Sequence, residues 1–307
     1  MLCTGSGHLV HPRGNVHSMS SQSRSALIFG GTGQIGAALL ARLRAAGWRS
    51  YAVSRQSREQ QSGVHWLRGE FDAMPELPER VDVIFSTGPL DRFSHWYADA
   101  RMACPRVVAF GSTSVETKHA SADSGERDLA GRLRDAEARV FGTATLRGAQ
   151  ATVLRPTLVY GAGSDQTLSR IAAMARRSGF FVLPANARGR RQPVHVADLA
   201  AAAQAVVDVA ATHAKAYALP GGETVVYREM VRRTLAALQP PPRLIVLPSP
   251  LFAAAVLAAR ASGRLQGLTG AAVARMREDL VFDAGPARQD FGYAPRGFQP
   301  DADMLPR

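Results

Sequence analysis

The stretch Ala26-Leu27-Ile28-Phe29-Gly30-Gly31-Thr32-Gly33-Gln34-Ile35-Gly36 decides the fold of this chain. Four apolar residues read as a buried strand, and the glycines after them open directly onto a helical pattern over 34–46. Gly30, Gly33 and Gly36 allow a tight turn and a close backbone approach to a pyrophosphate, while the helix start supplies free N–H groups and the positive end of its dipole. The predicted dinucleotide cradle is therefore Gly30, Thr32, Gly33, Gln34, Ile35 and Gly36.

Outward from this turn, short β-branched runs alternate with longer Ala/Leu/Arg stretches of helical period. Strands are predicted at 26–29, 50–53, 64–68, 81–86, 106–110 and 151–155, with helices near 34–46, 93–103 and 126–141. Asp123, three residues before Glu126, reads as the capping signal of the third helix. This rhythm predicts an α/β protein: a Rossmann-type doubly wound parallel sheet over 25–163. After Gly161 the rhythm changes to helix, short strand and loop, which predicts a smaller C-terminal substrate lobe over 164–307 with some segments returning to the first domain. Its expected pieces are a helix at 168–178, a Gly/Arg loop at 187–192, a helix from Asp198, a strand at 216–219, and helices at 227–238 and 271–279.

The Gly30-x-x-Gly33-x-x-Gly36 spacing resembles the fingerprint of the extended and atypical short-chain dehydrogenases/reductases, the NAD-dependent epimerase/dehydratase relatives. Four further segments agree in order: Phe110-Gly111-Ser112-Thr113-Ser114, Leu154 to Gly161, Pro193 to Leu199, and Tyr217 to Gly222. The resemblance implies that Asp72 neighbours an adenine ring, and that Thr87-Gly88-Pro89 passes beneath the cofactor where relatives carry an Ala-Gly pair.

An NAD enzyme of this fold needs a carboxylate at the end of the second strand to hold the adenosine ribose. The sequence there is Val53-Ser54-Arg55-Gln56-Ser57-Arg58, without an acid. Ser54 and Arg55 can instead clasp a 2′-phosphate, so NADP(H) is the expected cofactor, with NAD(H) as the alternative.

Active members of the resembled family place a Ser or Thr after the fifth strand, then a Tyr and a Lys four residues apart on the next helix. Ser112 fits the first position, with Thr113 beside it, and these two are the candidate catalytic residues. The helix that should carry the other pair, residues 126–137, holds neither Tyr nor Lys. Tyr97 and Arg101 have the right separation but precede the fifth strand, and read as core and surface. Lys118 reads as a solvated loop lysine, while Tyr160 and His195 read as packing residues. Arg190 and Arg191, in a loop with Arg188 and Gln192, are candidate substrate contacts because sugar-nucleotide relatives use such a segment on a diphosphate.

Composition bounds the rest. An apolar fraction of 46% in 307 residues suffices for a conventional core. Cys3 and Cys104 suit a reducing compartment, and the expected location is the cytoplasm. The first 24 residues read as a disordered tail or an overlong start, with a second methionine at Met19; His8, His11 and His17 within it lack the companions of a metal site. No metal site is predicted, and no run reaches the length of a membrane span. The net charge of +12 comes almost wholly from scattered arginines, since Lys118 and Lys215 are the only lysines, so a nucleic-acid partner is not expected. The expected partner is a small-molecule substrate, and a homodimer stays open. Two functions remain: an epimerase/dehydratase-like oxidoreductase with an atypical active site, acting on a carbonyl or sugar-like compound, and an inactive NADPH-binding sensor or structural protein.

Overall fold

The computed structural model describes residues 23–165, 167–261 and 270–306, together with residue 1. The predicted tail, with its histidines and Cys3, lies almost wholly outside these. Five strands run in chain order as β1 (Ser25–Phe29), β2 (Arg49–Ser54), β3 (Val64–Arg68), β4 (Val83–Ser86) and β5 (Arg106–Phe110), followed by β6 (Gln150–Pro156). The helices among them are α1 (Gln34–Ala45), α2 (Leu90–Asp99), the single turn α3 (Ser114–Thr117) and α4 (Ser124–Leu146). Asp123 caps α4 as expected, accepting from the Glu126 N–H at 3.2 Å.

The second half contributes β7 (Val159–Tyr160), α5 (Leu168–Ser178), β8 (Phe180–Pro184), β9 (Arg190–Arg191), β10 (Val194–His195) and α6 (Val196–Ala205). After these come β11 (Lys215–Leu219), β12 (Val225–Val226), α7 (Tyr227–Ala236), β13 (Arg243–Leu247), α8 (Ser249–Ala261), α9 (Gly270–Arg275) and α10 (Gly285–Phe291).

The main sheet has the order β11-β6-β5-β4-β1-β2-β3, with every neighbouring pair parallel. A parallel sheet must be covered on both faces, and the strands show why continuous apolar runs suit it. Ala26 and Ile28 of β1 join the core under α1 and α6, whereas Leu27 and Phe29 join the core under α2 and α4. Strand order reverses between β1 and β4, and in such sheets ligands bind at the strands' carboxyl ends beside that switch point.

Several predicted elements shift; the helix expected over 126–141 is α4, which runs on to Leu146, and the expected loop at 187–192 holds β9. The strand expected in the small lobe, at 216–219, is β11 of the main sheet, paired with β6 from Lys215 opposite Thr152 to Leu219 opposite Pro156. The helix expected at 93–103 is α2, which starts three residues earlier because Pro89 caps it in extended conformation, and stops at Asp99 because Ala100 is extended. The last helix, expected at 271–279, stops at Arg275, leaving Asp279 free to pair with Arg190.

Arg106, at the start of β5, is 5% exposed and ties β11's neighbourhood to the sheet. Its guanidinium donates to the carbonyls of Gln150, Val206 and Val207 and to the hydroxyls of Thr152 and Thr212. Burial pulls its pKa down to about 10. The small lobe has its own core, in which Leu168 and Ile171 of α5 meet Leu183 of β8, Met230 of α7 and Phe298.

Candidate functional site

The cradle forms at the carboxyl end of β1. Gly30 adopts φ +77°, a left-handed conformation that a side chain disfavours, and a Cβ there would stand 2.7 Å from the Gly88 nitrogen. At Gly36 a Cβ would stand 2.1 Å from the Gly30 carbonyl oxygen, so this glycine lets α1 close against the loop. That carbonyl accepts from Gly33 N–H at 2.9 Å and from Thr87 Oγ1 at 3.1 Å. Thr87 thus knots the end of β4 to the glycine loop, Gly88 lies in contact with it, and Pro89 starts α2.

Gly33 has a different role. It caps α1 without a side-chain bond, no acidic residue stands in the first turn, and a Cβ there would meet only the Gly30 oxygen, at 3.2 Å. Thr32 and Gly33 are exposed, and Gln34 keeps a buried side-chain oxygen with no partner. Uncapped amides and a bare glycine fit a pyrophosphate.

At the end of β2, Ser54 is 8% exposed and its Oγ accepts from the Gln56 N–H at 3.2 Å. Arg55 beside it is exposed. Asp72 forms an ion pair with Arg92, whose guanidinium lies 5.7 Å from the centre of the Phe71 ring. The carboxylate that the resemblance assigns to adenine is therefore already partnered in this chain.

A cleft of about 1050 Å³ opens between β5's carboxyl end and the small lobe, near the upper end of the size range for small-molecule sites. Ser112 and Thr113 line it. The Thr113 hydroxyl donates to the Pro156 carbonyl at 3.2 Å, whereas Ser112 Oγ accepts from Ser114 N–H at 3.1 Å and keeps its own proton to give. From α4 and its cap, only Asp123 and Glu126 reach the cleft, and α4 contains no Tyr or Lys.

Lys118 differs from its reading as a solvated loop residue. It lines the cleft with a side chain 22% exposed, and its Nζ lies 3.5 Å from Glu126 Oε1. Arg275 of α9 pairs with the same Glu126 from across the cleft. Arg191 also lines the cleft, but its donors go to the carbonyls of Arg190, Glu278 and Arg275, and its guanidinium lies 5.3 Å over the ring of Tyr227. Arg190 pairs with Asp279 at 2.8 Å and is not among the lining residues. Tyr227 was not singled out from sequence; it is 9% exposed on the cleft wall, and burial pushes its phenol up. Tyr97 is buried at 1% exposure beneath α4's side of the sheet, and Tyr160 packs edge-on against His195. His195 caps α6, its Nδ1 accepting from Ala197 N–H at 3.1 Å. Among the described residues no group of three His, Cys, Asp or Glu is arranged to hold a metal, and no helix is long and apolar enough to cross a membrane.

This sheet, cradle and cleft define a Rossmann-type α/β protein with the fold of nucleotide-sugar epimerases and dehydratases. Among solved structures, an epimerase from Methanothermobacter thermautotrophicus is similar over 89% of this chain and 88% of its own, with a TM-score of 0.66 at 13% identity. MoeE5, solved with UDP-glucuronic acid and NAD, is similar over 89% and 94%, with 0.64 at 18% identity. TunA, an NAD-dependent NDP-hexosamine 5,6-dehydratase of tunicamycin biosynthesis, is similar over 90% and 93%, with 0.64 at 16% identity. At these identities the likeness is one of fold. No protein-family model matches the sequence, and no curated protein matches it in sequence.

Proposed function

We propose that this chain is a nicotinamide-dependent, epimerase/dehydratase-like oxidoreductase that prefers NADP(H) to NAD(H) and acts on a carbonyl or sugar-like compound. The observation that supports this best is the adjacency of two sites. The cradle is knotted to the end of β4 through Thr87, and the Ser112 cleft opens at the end of β5, the next strand in the sheet. The dinucleotide supplies hydride transfer when bound.

The chain's own residues do the remainder. The α1 amides and Gly33 take the pyrophosphate, Ser54 and Arg55 clasp a 2′-phosphate, and Asp72 with Arg92 borders the adenine. Ser112 donates to the substrate oxygen, and Arg191 shapes the wall behind Tyr227. A cytosolic setting belongs to this reading, since Cys104 is a free thiol.

One observation favours a second reading, a cofactor-binding protein without turnover: α4 brings no Tyr or Lys to the cleft. Titration calorimetry with NADPH, followed by turnover of nucleotide sugars and small carbonyl compounds, tests both. Binding with turnover supports the oxidoreductase; binding without turnover on any compound selects the second reading; no binding defeats both.

A further inference from the structure

The cleft wall carries one primary amine, and it comes from the loop ahead of α4. Lys118 closes the single turn α3, donating its backbone N–H to the Ser114 carbonyl at 3.0 Å, six residues after Ser112. The Glu126 side chain that holds its Nζ at 3.5 Å is itself only 16% exposed. That carboxylate also accepts from Ser121 Oγ at 2.8 Å and pairs with Arg275. One carboxylate thus faces two cations, Lys118 and Arg275, on the cleft wall.

We propose that Lys118 is a catalytic residue that works with Ser112 on the substrate oxygen, in place of the Tyr and Lys that α4 lacks; this rests on the oxidoreductase reading above. A carbonyl carbon that takes a hydride with its electron pair from a reduced nicotinamide sends the C=O π pair to oxygen. Lys118 Nζ gives that oxygen one proton and regains one from water. An ammonium fixed beside the oxygen before charge develops stabilises it as it forms. Glu126 fixes the amine, and the Ser114 N–H fixes Ser112 Oγ. Tyr227, the phenol on the wall, is a poorer donor because burial pushes it up.

Lys118 and Lys215 are the chain's only lysines, so methylation with ¹³C-formaldehyde gives one side-chain resonance for each, assigned with Lys215→Arg. UDP-glucose added to the NADP⁺-loaded protein should move the Lys118 resonance and leave Lys215, which pairs with Asp290 at 2.7 Å, in place. In parallel, Lys118→Met should lower turnover by about 10²–10⁴ with the Kd for NADPH unchanged. Lys118→Arg should not restore it, because a guanidinium keeps its proton. A Lys118 resonance unmoved by UDP-glucose, or wild-type turnover in Lys118→Met, overturns the assignment while NADPH binding stands. A protein that binds no NADPH overturns the underlying reading as well.

Discussion

Arg155 of β6 grips Glu137 of α4 with two prongs, Nε to Oε1 at 2.9 Å and the terminal Nη2 to Oε2, directly beneath the loop that presents Ser112. A Cβ on Gly111 would stand 2.8 Å from that Oε1, so the carboxylate forms the floor of the loop. Arg155 extends to Glu116 of α3 at 2.9 Å, binding strand, long helix and short turn together. The Glu137 carboxylate raises the Arg155 pKa above its ordinary value.

Glu137→Ala should therefore destabilise the fold by about 1.5–3 kcal/mol, the scale of charged hydrogen bonds, since Arg155 keeps Glu116 and is partly solvated. Urea unfolding measures it. A loss below about 0.5 kcal/mol would show that water replaces the pair without penalty.

The glycines of the cradle should separate. Gly36→Ala drives a Cβ into the Gly30 carbonyl and should lower the melting temperature, whereas Gly33→Val should keep the fold and lose NADPH binding. Circular dichroism reports the first effect and fluorescence quenching the second. Full NADPH binding by folded Gly33→Val would mean that the loop is only a turn.

Arg55→Ala should weaken NADPH binding about ten- to a hundredfold and leave NADH binding unchanged, because the guanidinium's charge-assisted bond goes only to the 2′-phosphate. Calorimetry with both cofactors checks this. Equal wild-type affinities would remove the preference.

Acid sensitivity should concentrate on α7. Glu229 is held by Arg232 and then Arg233, which depress its carboxyl from 4.5 to about 2. A depressed carboxyl stabilises the fold fully above about pH 4.5, and that contribution drains away as pH falls towards 2. Unfolding midpoints of Glu229→Gln should lie below wild type at neutral pH and converge on it in acid; a gap that stays constant with pH would refute this.

Tyr97→Phe should leave turnover untouched and raise stability by up to about 1 kcal/mol, because the hydroxyl is buried without a partner and its desolvation is uncompensated. The Arg147 guanidinium, 4.9 Å from the ring centre, stays in place. Loss of thermal stability in the variant would show that the hydroxyl is satisfied in solution.

Local signals carried most of the fold into the sequence. A strand opening onto spaced glycines and Asp123 ahead of Glu126 are both read within a few positions. What the sequence hid depends on partners far along the chain. Lys118 turns inward because Glu126 holds it and Arg275, contributed from α9, holds Glu126. The Arg190 and Arg191 cluster looked free for an anion, yet Asp279 and three backbone carbonyls occupy it. The end of α2 is likewise set from far along the chain, where Ala103 bonds back to Glu79 and pulls the chain out of the helix.

The seventh strand of the sheet arrives late. Roughly sixty residues separate β6 from the end of β11, so during synthesis at about 5–20 residues per second the β6 edge stays open for several seconds. An unpaired edge is a template for wrong pairing, and here the buried Arg106 waits at the same time for the Val206 and Val207 carbonyls. The nascent chain is therefore most vulnerable to aggregation while its small lobe is emerging from the ribosome.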